Sequence, residues 1–452
     1  MTSPPRDPDS RSAGGKRFAG GRRPVQAAVR SWRTRTFASL GNGNFRRFFI
    51  GQSVSLTGTW MQSVAQAWLV LQLTGSATWL GLAVALQFLP MLVLGPYGGV
   101  IVDRVDKRKL LIGTQSAAAA LALTLGLLTV TGTVNLPWVL GLSLCLGLIN
   151  VLDNPGRQAF VREMVAGDAV RNAVSLTAVL VNVARAVGPA VAGILIATVG
   201  VGICFLINAV SFAAVIVAFT TMNTGQLLRD APIQRAPGQL RDGLRYVRRT
   251  PELLIPLVMM ALVGTLTYEF QVVLPVLAAD TFDGTARSFG LITSAMGAGA
   301  IVGGLVSAGR RATGIATMVL ASLGFSVTVL AVALAPSVWF AGLGLVAVGA
   351  SSVLFLSTGN STLQLASDAA MRGRVMALWS VAFLGSTTIG GPAVGWVAQH
   401  AGARWALAVG SAAALVAAII GAFALDWLPV RRRPDRSTGT GQPTARSRRR
   451  AG

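Results

Sequence analysis

Twelve stretches of apolar residues follow one another along this 452-residue chain, and no other feature narrows its possible folds as far. The hydrocarbon core of a bilayer is about 30 Å thick and offers no water to unpaired backbone groups, so an apolar helix of about 20 residues is the simplest element that crosses it. Segmenting on polar residues, Gly and Pro predicts spans at about 47–73, 77–102, 109–131, 136–158, 173–198, 201–221, 253–279, 287–308, 313–334, 337–363, 374–399 and 404–428. The expected fold class is therefore an all-α membrane protein with about twelve transmembrane helices. Composition agrees, since only 12% of residues are charged where a soluble chain carries about 25%. The 52 glycines suit helices that approach one another closely in lipid.

A formal charge of +23 raises the question of a nucleic-acid partner, and the positions of the basic residues answer it. Of 39 Lys and Arg, all but Arg185, Arg287 and Arg404 fall in the two tails or in the loops after spans 2, 4, 6, 8 and 10. That is the distribution expected of cytoplasmic segments. Both termini are expected in the cytoplasm, and no nucleic acid is expected as a partner. The longest internal polar stretch divides the spans six and six. The chain reads as a basic disordered tail over 1–45, a six-helix half over 46–221, a linker over 222–252, a second half over 253–428 and a second tail over 429–452. No secretory signal is read at the N-terminus.

Cys145 and Cys204 lie in apolar runs, and with the single His400 they do not assemble a usual metal site. No phosphate-binding loop or dinucleotide glycine fingerprint is present. No catalytic residues, metal or cofactor are expected, and the energy for any transport should come from an ion gradient. The ten Trp, among them Trp60, Trp68, Trp138 and Trp339, read chiefly as interfacial anchors.

The two halves echo each other. Gly188, Gly193 and Gly200 recur as Gly390, Gly395 and Gly402 at an offset of 202 residues, in the fifth span of each half. Parallel internal repeats of this kind mark transporter folds. Polar stripes at helical spacing pick out inward-facing surfaces: Ser55, Thr59, Gln62 and Gln66 in span 1; Asn150, Asp153, Asn154 and Arg157 in span 4; Ser357, Asn360, Ser361 and Gln364 in span 10. Such faces line either a cavity or a helix interface. Two charges sit inside spans. Arg185 lies roughly 18 Å into span 5 at the helical rise, and Glu269 shares a face of span 7 with Tyr268 and Thr265. Ionisable residues in a membrane are functional candidates by default. Glu269 is the carboxylate well inside a span and away from the expected cytoplasmic helix ends, which makes it the first candidate for proton coupling. Arg185 is a plausible partner, and Asp153 the next candidate.

Six segments in order carry a resemblance: Asn44–Gln52 (NFRRFFIGQ), Leu73–Ser76 (LTGS), Gly99–Arg108 (GVIVDRVDKR), Asp153–Gln158 (DNPGRQ), Arg185–Gly193 (RAVGPAVAG) and Arg372–Met376 (RGRVM). Together they resemble the major facilitator superfamily, in the branch that contains the enterobactin exporter and macrolide efflux proteins. The resemblance implies a two-half, twelve-helix fold that binds a small, amphipathic molecule between the halves and exports it by alternating access, driven by protons; the chain is expected to act as a monomer in the lipid bilayer. Import or facilitated diffusion by the same fold is the first alternative, and a non-transporting signalling or assembly protein the second. The stretch carrying Gly99, Asp103, Arg104 and Arg108 resembles the superfamily signature between spans 2 and 3, which implies that Asp103 meets the start of span 11 near Gly373 and Arg374 when the cytoplasmic side closes. A carboxylate at a helix N-terminus is worth about 0.3–1 kcal/mol. The corresponding loop of the second half, Gly304–Arg311, has no acid. Gly188, Pro189 and Gly193 look like the motif of proton-driven antiporters, from which Ala192 departs.

Overall fold

The computed structural model describes residues 38–167, 169–228, 239–310, 312–369 and 371–427. A 3-10 turn, Ala38–Gly41, precedes six long helices: α1 (Gly43–Thr74), α2 (Ala77–Arg104), α3 (Lys107–Val130), α4 (Leu136–Met164), α5 (Ala169–Val199) and α6 (Val201–Thr220). A short helix α7 (Gln239–Arg248) follows, and then the second half. There, α8 (Pro251–Leu266) and α9 (Phe270–Val276) share one span, followed by α10 (Ala286–Gly309), α11 (Ile315–Ala333) and α12 (Val338–Ala366). Next come α13 (Arg372–Ser380) and α14 (Thr387–Ala401), again within one span, and α15 (Ala403–Trp427). Eleven of the spans are long and apolar enough to cross a membrane. The remaining one, α1, has the length at 32 residues but carries the polar stripe.

Local chemistry sets the connections. Asn42 caps α1, its side chain accepting from the N–H groups of Asn44 and Phe45 at 2.9 and 3.1 Å. At the other end the LTGS segment makes a two-residue turn. Gly75 takes φ +59°, donates to the Leu71 carbonyl at 2.8 Å, and hands over to Ser76, whose hydroxyl caps α2. Asp106 caps α3 by accepting from the Lys109 N–H at 3.0 Å. Each cap satisfies backbone groups that the helix itself leaves open.

The structure departs from the expected boundaries in several places. Spans 7 and 11 are discontinuous: Thr267–Glu269 interrupts the first, and a π-helical turn, Val381–Gly385, interrupts the second. Glu269 therefore stands at a helix break and shares no continuous helical face with Thr265. Helix α4 continues through Pro155 to Met164, past the expected end at 158. Residues 38–45, assigned above to the first tail, are ordered, with the Ser39 hydroxyl donating to Asn172 Oδ1 at 2.6 Å. The linker contains α7. Residues 1–37, 229–238 and 428–452, and with them nearly all of both tails, lie outside the described residues.

All three repeated glycine pairs perform paired roles. A Cβ on Gly188 would stand 2.9 Å from the Thr57 carbonyl of α1, and one on Gly390 would stand 1.9 Å from the Thr265 carbonyl of α8. Gly193 packs on Ala286 and Gly290 at the start of α10, as Gly395 packs on Ala77 and Thr78 at the start of α2. Gly200 and Gly402 take φ +87° and +90° in the turns that follow, a region that glycine enters without steric cost. Both halves thus use one design, and they meet along two seams, α5 on α10 and α2 on α14. The seams lie toward the end of the bundle away from the tails, called here the far end. At the opposite, tail end, α13 packs on α7, α8 and α12 rather than on α2.

Candidate functional site

Between the halves, α1, α2 and α5 face α8–α9, α10, α12 and span 11 across a cavity of about 320 Å³. Its wall carries Trp60, Phe88, Arg185, Tyr268, Glu269, Phe289, Thr293, Ser352, Phe383 and Thr387. Arg185 and Glu269, set apart by the sequence as charges inside spans, come together here from opposite halves.

The helix break positions Glu269. The N–H groups of Thr267 and Tyr268 share the Val263 carbonyl at 2.8 and 3.2 Å, so the regular ladder stops. The Thr267 hydroxyl donates to the Gly410 carbonyl at 2.7 Å, and the Tyr268 hydroxyl to the Ser352 carbonyl at 2.7 Å. These bonds tie the interruption to α15 and α12. The Glu269 carbonyl then accepts from the Val272 and Val273 N–H groups, which starts α9. Its side chain is 2% exposed, and its Oε1 has no hydrogen-bond partner among the described residues. A Cβ on Gly390 would stand 2.9 Å from that oxygen. The missing side chain at Gly390 is what makes room for the carboxyl group.

Across the cavity, the Arg185 guanidinium lies 4.8 Å from the centroid of the Trp60 ring, and its Nε has no partner. A cation over an indole face gains about 0.5–2 kcal/mol, the upper end when desolvated. No ion pair joins Arg185 to Glu269 among the described residues. Each side therefore keeps unspent capacity toward the space between them. The rest of the wall is aromatic: Tyr268 packs against Phe325 and Phe383 at 5.2 Å each, and Trp68 stacks on Phe289 at 6.1 Å. Trp60 and Trp68 thus serve the interior, contrary to the anchor reading, whereas Trp138 and Trp339 are exposed at the first turns of α4 and α12. The cavity aromatics Phe289 and Phe383 gave no sequence signal, because lipid-facing and cavity-facing apolar residues look alike in a membrane helix.

The polar stripes divide. Ser55, Thr59, Gln62, Gln66, Asn150 and Asp153 line a second, smaller chamber of about 70 Å³ inside the first half. Asp153 is placed with Arg157 and not with Arg185: it accepts from Arg157 Nε at 2.9 Å, Thr114 Oγ1 at 2.8 Å and Gln115 Nε2 at 2.7 Å. Asn154 accepts from Arg157 Nη2 at 2.8 Å. Asn360 and Gln364 hydrogen-bond each other near the end of α12, and neither lines the central cavity.

The residues of the expected gate are also placed. Asp103 ends α2 half-buried and Arg104 is exposed, while Gly98, beside Gly99, makes the close approach to α4, where a Cβ would stand 2.3 Å from the Val151 carbonyl. Arg108 donates to the Phe219 and Thr220 carbonyls at 2.6 and 3.1 Å, capping α6. Gly373 is exposed, and Arg374 pairs at 3.7 Å with Asp242 of α7. Among the described residues, the close helix contacts that join the halves lie toward the far end.

Comparison with known proteins adds three kinds of finding. A family model described as transmembrane secretion effector matches residues 34–434. The staphyloferrin A transporter of Staphylococcus aureus is 25% identical over 262 residues, 57% of this chain and 65% of that protein. Macrolide efflux protein A of Streptococcus pyogenes is 27% identical over 274 residues, again 65% of that protein's length. The enterobactin exporter EntS of Escherichia coli is 25% identical over 363 residues, 78% of this chain and 84% of that protein. Among solved structures, a nucleoside transporter, NupG, superposes with a TM-score of 0.69 at 12% identity, covering 84% of this chain and 99% of that one. A bacterial homologue of the lysosomal transporter Spinster gives 0.67 at 12% identity, covering 84% and 96%. These two likenesses concern the fold.

Proposed function

The chain belongs to the transmembrane secretion effector family of the major facilitator superfamily, and from that membership we propose that it exports a small amphipathic molecule by alternating access, in exchange for protons. The observation that carries the reading is the shared cavity, in which a buried, unpartnered Glu269 oxygen and the Arg185 guanidinium face one space from opposite halves. Proton exchange needs a group that is neutral in one state and charged in another, and closing helices around a carboxyl group change the relative stability of its two forms. In this reading, a substrate that enters the space between Arg185 and Glu269 is exchanged there for a proton carried by the carboxyl group.

Both tails and the linker are cytoplasmic in this reading, which the Lys and Arg distribution supports. The tail end then opens to the cytoplasm, and the arrangement described above is the one that loads. Amphipathic cargo is supported by aromatic walls beside paired polar groups, and the similarity to exporters of siderophores and macrolides supports the direction. The test is accumulation of macrolides and iron chelators in cells with and without the gene. At least one compound should accumulate less in cells that carry it, and a protonophore should remove the difference. Equal accumulation of every compound, or a difference indifferent to the protonophore, would contradict the proposal.

A further inference from the structure

We propose that the small chamber inside the first half is a subsite for an uncharged, hydroxyl-rich group on the exported molecule, while the central cavity holds its apolar end. The inference rests on the export reading and narrows its substrate class. Three observations carry it.

The first is continuity. Ser63 lines both the chamber and the central cavity, and a third, smaller hollow beside them shares Gln66 and Gln87 with the chamber and Gln271 with the cavity. The second is the chemistry of the wall. Amide and hydroxyl side chains both donate and accept, which matches neighbouring hydroxyl groups on a ligand, and the chamber takes five of them from α1 alone: Ser55, Thr59, Gln62, Ser63 and Gln66. Its two charged residues, Asp153 and Arg157, neutralise each other at 2.9 Å, so no net charge is offered. The third is unspent hydrogen bonding. Gln115, which lines the chamber and is 4% exposed, binds Asp153 through Nε2 and leaves Oε1 without a partner. Buried amide oxygens normally find a donor, from protein, water or ligand. A space of this size accommodates about five waters at roughly 10–15 Å³ each, or an equivalent group of hydroxyls on one ligand. Across the central cavity, the second half adds the aromatic rings of Tyr268, Phe270, Phe289 and Phe383, together with a few polar groups such as Thr293 and Thr387. The two walls therefore sort an amphipathic molecule end from end.

Naphthyl glucoside and naphthol share an aromatic end and differ in a sugar, which makes them a suitable pair of probes. Their binding would be measured by equilibrium dialysis against the full chain in lipid nanodiscs, with empty nanodiscs as the blank. The glucoside should bind about tenfold more tightly than naphthol, the equivalent of roughly one to two net hydrogen bonds. Gln66→Leu should weaken the glucoside several-fold and leave naphthol unchanged, and the nearly isosteric Thr59→Val should do the same. Unchanged naphthol binding also shows that each variant is folded. Equal affinities in the wild-type chain, or equal losses for both probes in the variants, would overturn the subsite and leave the export reading standing. Binding of neither probe would also overturn it, the export reading being judged by the accumulation assay.

Discussion

At the scale of single residues, the roles proposed for Glu269 and Arg185 can be separated by mutation. Glu269→Gln keeps the shape and a hydrogen-bonding end but cannot lose a proton. Substrate binding should persist, while uphill export and its sensitivity to a protonophore should disappear. A Gln variant whose export still collapses with the proton gradient would remove Glu269 from the coupling role and direct attention to Asp153. Arg185→Ala should cost more export than Arg185→Lys, because Lys keeps a charge near the Trp60 ring at a site where cation and ring are worth about 0.5–2 kcal/mol. Gly390 makes a second residue-level prediction. A side chain there meets the Thr265 carbonyl at 1.9 Å and Glu269 Oε1 at 2.9 Å, so Gly390→Val should destabilise the protein by about 1–3 kcal/mol, as overpacking does. A thermal unfolding midpoint within error of the wild type would show that α14 can back away. Sequence alone marked both charges, since an ionised group inside an apolar run is conspicuous. It could not mark Phe289 or Phe383, which look like any other apolar residue of a membrane helix.

At the scale of elements, helix positions were readable from hydropathy and helix interruptions were not. The break at Thr267–Glu269 is made by partners distant in sequence, the Gly410 and Ser352 carbonyls, and nothing local in GTLTYEF announces them. The glycine pairs were readable as a repeat, yet their roles became visible only once Thr57 and Thr265 stood opposite them. The linker read as polar chain, although the packing of Gly243 and Val247 against the second half orders α7. That helix bears on the proposed gate, because Asp242 lies 3.7 Å from Arg374 in the arrangement seen here. If Asp103 takes up the start of span 11 when the tail end closes, Asp103→Asn should leave the fold intact and shift the population toward the arrangement parted at the tail end. Cysteines introduced into α13 should then react faster with a membrane-impermeant thiol reagent applied from the tail side. Unchanged reactivity together with unchanged export would exclude a gate at Asp103.

At the scale of the whole molecule, the loops after even-numbered spans and both tails hold nearly all the basic residues, and the proposed reading puts them in the cytoplasm on that ground. Alkaline phosphatase fused after Val430 should therefore be inactive, whereas a fusion in the turn at Gly200 should be active. Strong activity of the first fusion would invert the molecule and with it the direction in which the cavity loads. The cavity also carries a consequence for how steep a gradient the protein could sustain. Among the described residues, Glu269 is the one carboxyl lining it, so a cycle run through that group exchanges one proton for each molecule carried. One charge crossing about 100 mV is worth about 2.3 kcal/mol, and about 1.4 kcal/mol corresponds to a tenfold ratio. With neutral cargo and no pH difference, outward pumping would stall once the concentration ratio reached about fifty to one. A second exchanging carboxyl would square that ratio, so the number of acids facing the cavity sets the limit of accumulation.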